Sequence, residues 1–192
     1  MTKKIFGVLG AIYLVMFFSS LAMAQNRVPT EKKFQTKLGR YATVTEAYAM
    51  WQTNPNGVTI LDCRTAEEYV FVGHPPMAYN IPSHLWTGEW NEQMKGYGLK
   101  DNPAFLVKIR EKFNPGDTIL VICSSGGRSA KAVDKLAEAG FRKVYNIVNG
   151  FEGDKVSPPN NEDNSWEIMK NCWKGSGAPW SYQLDPKLVY IP

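Results

Sequence analysis

Thr118-Ile119-Leu120-Val121-Ile122-Cys123-Ser124-Ser125-Gly126-Gly127-Arg128-Ser129 joins an unbroken apolar run to a short loop rich in glycine and serine. Ala130, Val133, Leu136 and Ala137 follow at helical spacing, and Gly140 marks the stop. An apolar run of this length ahead of a loop and helix reads as a strand buried on both faces of a parallel sheet. Cys123 therefore stands between a strand and the positive end of a helix that begins near Ser129. Gly126 and Gly127 let the backbone curl so that loop amides converge on the sulfur. Amides and helix dipole both favour the thiolate, which is the nucleophilic form of cysteine.

Three more blocks accompany this loop in fixed order. They are Ile60-Leu61-Asp62-Cys63-Arg64-Thr65-Ala66-Glu67-Glu68-Tyr69, then Gly73-His74-Pro75-Pro76-Met77-Ala78-Tyr79-Asn80-Ile81-Pro82, and finally Gly140 to Phe151 with its closing Asn149-Gly150-Phe151 turn. Together with the cysteine loop they resemble the rhodanese (sulfurtransferase) family over residues 41–153, with Met77 standing where that family usually has glycine. The resemblance implies an α/β fold with an open, mainly parallel five-stranded sheet flanked by helices on both faces. It also implies a sulfurtransferase that moves sulfane sulfur from thiosulfate, polysulfide or a related anionic donor to a thiophilic acceptor through a persulfide on Cys123. Neither a metal nor an organic cofactor is required for that chemistry.

On this reading Cys123 is the catalytic nucleophile, and Ser124, Ser125, Gly126, Gly127, Arg128 and Ser129 form the substrate-binding loop. The Arg128 guanidinium matches the oxygens of a sulfonate-like donor, or else pairs with a carboxylate. Asp62 and Arg64, at the carboxyl end of a strand beside the catalytic one, are supporting residues that scaffold the loop. His74 belongs to a turn, and His84 is a weak candidate at the rim. Related cysteine phosphatases have five residues between Cys and Arg, whereas Cys123 and Arg128 enclose four, a cradle too small for a tetrahedral phosphate. The other alternative is a non-catalytic periplasmic binding module in a redox or sulfur-oxidation assembly, with a protein thiol or redox partner.

The 192 residues suit one domain with its own core. Lys3 and Lys4, the apolar run Ile5 to Phe18 and Ala22-Met23-Ala24 have the three parts of a secretory signal peptide over residues 1–24, giving a periplasmic or secreted chain after cleavage near Ala24. The run is shorter than the roughly 20 residues that a spanning helix prefers. A net charge of +4 and the lack of any basic stripe with interleaved aromatics argue against nucleic-acid binding.

Cys63, Cys123 and Cys172 are too few for a disulfide scaffold, and their spacing suits no zinc site. Two readings stand for Cys63: a buried apolar residue, or a resolving thiol for Cys123. A Cys63–Cys172 disulfide is the remaining alternative.

Residues 25–40 read as a loosely ordered lead-in. Tyr41 to Thr43 suits a strand, Thr45 an N-cap before a helix that Asn54-Pro55-Asn56-Gly57 stops, and Val58 to Leu61 a second strand. Thr65 suits another N-cap, Ala78 to Ile81 a third strand, and Asn102-Pro103 the opening of a helix over Ala104 to Phe113. Between Pro82 and Thr118 lies an insertion whose Trp86 and Trp90 either pack or wall the pocket. Residues 154–192 form an extension, with a linker at 157–164 and then Trp166, Trp173 and Trp180. Too short for a core of its own, this aromatic tail docks on the domain, on a second copy in a homodimer, or on a partner.

Overall fold

The computed structural model describes residues 28–93, 95–153 and 171–192. The predicted signal peptide, the 157–164 linker and Trp166 lie outside the described residues. Five parallel strands form one sheet: β1 (Tyr41–Ala42), β2 (Val58–Asp62), β3 (Tyr79–Asn80), β6 (Thr118–Ile122) and β7 (Lys143–Ile147), in the order β1-β7-β6-β2-β3. Strands β4 (His84–Asn91) and β5 (Gly96–Asp101) make a separate antiparallel hairpin. The helices are α1 (Val44–Thr53), α2 (Ala66–Phe71), α3 (Phe105–Lys112) and α4 (Gly127–Glu138).

Side chains on a strand alternate between faces, and both faces here are buried, which explains the continuous apolar runs. Leu61, Cys63, Ile119, Val121, Cys123 and Val144 face Phe105 and Ile109 of α3 and Ala132, Val133 and Leu136 of α4. Ile60, Leu120, Ile122 and Ile147 turn the other way, toward Ala47 of α1, Phe151 and Trp173. Cys63 and Cys123 thus share the face that carries α4.

Several boundaries differ from the sequence expectation. Thr43, not Thr45, caps α1: its Oγ1 accepts from the Glu46 N–H at 3.2 Å while the Glu46 carboxylate accepts from the Thr43 N–H at 2.8 Å. The Thr-x-x-Glu spacing of a capping box selects Thr43, since Thr45 has no glutamate three residues on. Thr65 caps α2 as expected, with Glu68 closing the box. Helix α4 begins at Gly127, ahead of the expected start near Ser129, because Gly126 takes a left-handed φ of 99° and serves as the N-cap. Residues 28–40 are not a loose lead-in: a short 3-10 turn at Lys32–Phe34 buries Phe34, whose carbonyl accepts from the buried Asn146 Nδ2 at 3.0 Å.

The insertion folds as the β4–β5 hairpin, with Tyr97 edge-on to Trp86 at 5.1 Å and to Trp90 at 5.7 Å. These rings stay largely exposed. Trp86, Tyr97 and Leu99 face Thr65, Glu68 and Phe71 across a groove of about 330 Å³.

Residues 171–192 dock on their own domain. Trp173 is fully buried, and its indole N–H donates to the Pro179 carbonyl at 2.9 Å. Farther on, the tail covers the sheet edge at β3: the Asn80 N–H donates to Leu188 O at 2.7 Å, and His74 and Ser181 exchange backbone hydrogen bonds of 2.9 and 2.8 Å.

Candidate active site

Cys123 follows β6 directly, at the carboxyl end of a central strand. Two neighbouring segments fix its loop. The carbonyl of Cys123 accepts from the Phe151 N–H at 2.8 Å, and that of Ser124 accepts from Glu152 and Gly153 at 2.9 and 3.2 Å. Such close approach requires glycine at position 150, where φ is 59° and an added Cβ would lie 2.4 Å from Cys123 O. On the other side, the left-handed Gly126 turns its own N–H back onto the sulfur at 3.1 Å.

The thiol is almost wholly buried, and burial alone would oppose ionisation. The Cys63 thiol, the Arg128 charge, and the Ser129 hydroxyl and amide outweigh it and bring Cys123 down to about 5. Cys63 moves the opposite way, driven well up by burial and by the neighbouring Cys123 sulfur. The two cysteines directly follow the paired Asp62 and Ile122 in the β2–β6 register and enter one buried cluster, so each sulfur bears on the other's ionisation, Cys123 downward and Cys63 upward. Alkylation of Cys123 by iodoacetamide is expected to have its midpoint at about 5, so the rate should be flat near neutrality and fall as pH drops through that value. A midpoint at about 8.5, that of a free thiol, would contradict the geometry.

Arg128 projects from the first turn of α4 and forms a fork with Glu68, each of its amino groups donating to one carboxylate oxygen at 2.6 Å. The pair is one-fifth to one-quarter exposed, and its Glu68 lines the hairpin groove. Burial works against the Glu68 carboxylate, yet the Arg128 guanidinium holds it below the usual range. Glu68 is a site residue that sequence reasoning placed only as a first-turn acid of α2; the Thr-x-x-Glu box that fixes its position was visible. Ser124 donates to Glu152 at 3.0 Å. Ser125 and Gly127 are half-buried on the loop.

Asp62 and Arg64 are fully buried and bound to each other. Arg64 Nε lies 3.0 Å from Asp62 Oδ1, Nη2 lies 2.6 Å from Oδ2, and the Arg64 backbone N–H also donates to Oδ1 at 3.0 Å. Nη2 reaches the Gly73 carbonyl at 2.8 Å and the guanidinium lies 4.2 Å over the Phe151 ring. The pair ties β2 to the Gly73 turn and to the segment that pins the loop.

Asn146 of β7 is a further residue the sequence reading missed. It is a buried amide inside the run Val144-Tyr145-Asn146-Ile147-Val148. Its Nδ2 donates to Phe34 O at 3.0 Å and Gly126 O at 3.2 Å, and its Oδ1 faces the Ser129 hydroxyl at 2.6 Å. A polar residue in an apolar strand run was the available signal. His84 lies on the hairpin side, near Ser83 Oγ at 2.9 Å and Asp101 at 3.2 Å, and His74 is stacked on Tyr69. All three cysteines are free thiols, so a Cys63–Cys172 bond is not formed. Among the described residues, no group of three or more His, Cys, Asp or Glu could hold a metal.

A family model described as the rhodanese-like domain matches residues 43–156. Thiosulfate sulfurtransferase 16, chloroplastic, of Arabidopsis thaliana is 40% identical over 95 residues, which are 50% of this chain and 72% of that protein. Thiosulfate sulfurtransferase 18 of the same plant is 38% identical over 112 residues, 56% of this chain and 76% of the relative. A crystal structure of an M. tuberculosis protein shares the fold, with a TM-score of 0.56 at 24% identity, over 74% of this chain and 99% of that one. Matched over more than half its length, and with its parallel sheet delivering Cys123 to a loop before a helix, this chain belongs to the rhodanese-like domain family.

Proposed function

We propose that this protein is an active sulfurtransferase that accepts sulfane sulfur from an anionic donor such as thiosulfate or polysulfide, carries it as a Cys123 persulfide and hands it to a thiophilic acceptor. The observation that carries this reading is the buried Cys123 sulfur at the end of β6, onto which Gly126 turns its N–H at 3.1 Å, in surroundings that favour the thiolate. A thiolate attacks the outer sulfur of thiosulfate, sulfite leaves with the electron pair, and the new S–S bond puts the negative charge on the outer sulfur. That charge forms next to the α4 N-terminus and the Gly126 N–H, which already points at the sulfur. The curated relatives named as thiosulfate sulfurtransferases support the donor class.

Arg128 enters as a positioning residue. Its fork with Glu68 fixes α4 against α2, and its charge favours the Cys123 thiolate. A non-catalytic binding module has less support, since it would not need the shifted thiol. The test is to treat the reduced full chain with thiosulfate and, separately, polysulfide, and to record intact and peptide masses without reductant. Gain of one sulfur on the Cys123 peptide is expected; no gain from either donor, with Cys123 still free, would leave the binding-module reading.

A further inference from the structure

Ser129 has one hydroxyl proton and three acceptors around it: Asn146 Oδ1 at 2.6 Å, Gly126 O at 3.0 Å and Cys123 Sγ at 3.3 Å. The Asn146 amide cannot turn over without loss, because its Nδ2 already serves the carbonyls of Phe34 and Gly126. Its Oδ1 is therefore the acceptor fixed toward Ser129, and it is the closest of the three. Asn146 and Gly126 thus compete with Cys123 for the single Ser129 proton, and the Cys63 thiol is the second side-chain group that favours the Cys123 thiolate.

Cys63 is placed for more than a hydrogen bond. Asp62 pairs with Ile122 in the β2–β6 register, and the Cys63 N–H continues the ladder by donating to Ile122 O at 2.9 Å. Cys63 and Cys123 are thus the next pair on neighbouring parallel strands, and their side chains enter the same buried cluster. Adjacent strands lie about 4.8 Å apart, within the Cα separation of about 4.4–6.8 Å that a disulfide spans.

We propose that Cys63 is the second working thiol of this site: it holds the Cys123 thiolate by S–H donation and resolves the loaded form, releasing hydrosulfide and leaving a Cys63–Cys123 disulfide. The release step rests on the sulfur-carrier reading of Cys123. In it, Cys63 Sγ bonds to Cys123 Sγ as the S–S bond of the persulfide breaks. The outer sulfur takes the electron pair and the Cys63 proton, and departs as HS⁻. That sulfur is reduced from the sulfane to the sulfide level, and the two cysteine sulfurs are oxidised to the disulfide. A dithiol, small or on a partner protein, then reduces the bridge by exchange and becomes a disulfide itself. The acceptor class that matches this cycle is a dithiol reductant, and the product is sulfide.

The full chain, reduced and freed of reductant, is tested in two arms against Cys63→Ser. After thiosulfate loading, the wild-type mass gain of one sulfur is expected to give way to a chain two hydrogens lighter than the reduced one, with an equivalent of sulfide. Cys63→Ser should keep its extra sulfur at least about tenfold longer. In the second arm, 2-hydroxyethyl disulfide should leave the wild type with a Cys63–Cys123 bridge and no adduct, whereas Cys63→Ser retains a mercaptoethanol adduct on Cys123.

The donor role is read separately. Cys63→Ala should move the alkylation midpoint of Cys123 upward, and Cys63→Ser, which keeps a donor, should bring it back toward wild type. Wild-type adducts as long-lived as those of Cys63→Ser, or a midpoint indifferent to Cys63→Ala, would overturn the proposal. A wild-type chain that takes no sulfur from thiosulfate or from polysulfide yet closes the bridge in the second arm would refute the sulfurtransferase reading and uphold the thiol pair. Peptide mapping of the wild type identifies the bridge even where a variant folds poorly.

Discussion

Cys123→Ser is expected to lower thiosulfate-dependent sulfur transfer, followed with cyanide as acceptor, by at least about a thousandfold while leaving the thermal midpoint close to wild type. The loss follows from chemistry, since a serine oxygen is protonated at every accessible pH and forms no persulfide. The fold should tolerate the change because the loop is held by backbone groups. The Cys123 carbonyl bonds to Phe151, the Ser124 carbonyl to Glu152 and Gly153, and none of these involves the sulfur. The smaller oxygen still accepts from the Gly126 N–H. Full activity in the variant would remove Cys123 from the mechanism, and a collapsed melting transition would show that the sulfur has a structural role as well.

The second large effect is on stability. Asp62→Ala should cost about 3–5 kcal/mol, because it leaves the Arg64 guanidinium buried without its counter-charge. Domains of this kind carry a total of only about 5–15 kcal/mol, so the variant should unfold at a much lower urea concentration. Arg64 Nη1 already has no hydrogen-bond partner among the described residues, so the site has little slack to absorb a further loss. Equilibrium unfolding by urea, with tryptophan fluorescence as readout, measures the change. A midpoint within experimental error of wild type would mean that water reaches the guanidinium and that the pair is not the tie it looks to be.

The strand run at Thr118 to Ile122, the Cys123 loop, the Thr65 cap and the order of the blocks could be read from residue pattern, because each rests on local chemistry. The hairpin could not. His84 to Asn91 lacks clean alternation, carries Gly88 with a φ of 73°, and pairs with a register shift between Trp86 and Trp90. Glu68 and Asn146 escaped notice as site residues for a related reason. Each is ordinary in its own segment and becomes part of the site only where α2, α4 and β7 meet. Arg128 shows the limit from the other direction. The sequence offered either an anion or a carboxylate as its partner, and it did not point to Glu68, the carboxylate with which the fold pairs it.

The loop around Cys123 is finished by chain that follows it. Phe151, Glu152 and Gly153 bond to its carbonyls, Trp173 and Lys174 bond in turn to the carbonyls of Gly150 and Phe151, and Cys63 arrives from a strand laid down long before. Of the groups that acidify the sulfur, Cys63 is distant in sequence, whereas Gly126, Arg128 and Ser129 are local and are held in place by these later segments. A nascent chain that ends at Ser129 lacks the bonds from Phe151, Glu152 and Gly153 that pin the loop, and its thiol is expected to be less acidic. Docking of the last segment is what holds those local groups and Cys63 in place around the sulfur, so full nucleophilicity is expected only as folding completes.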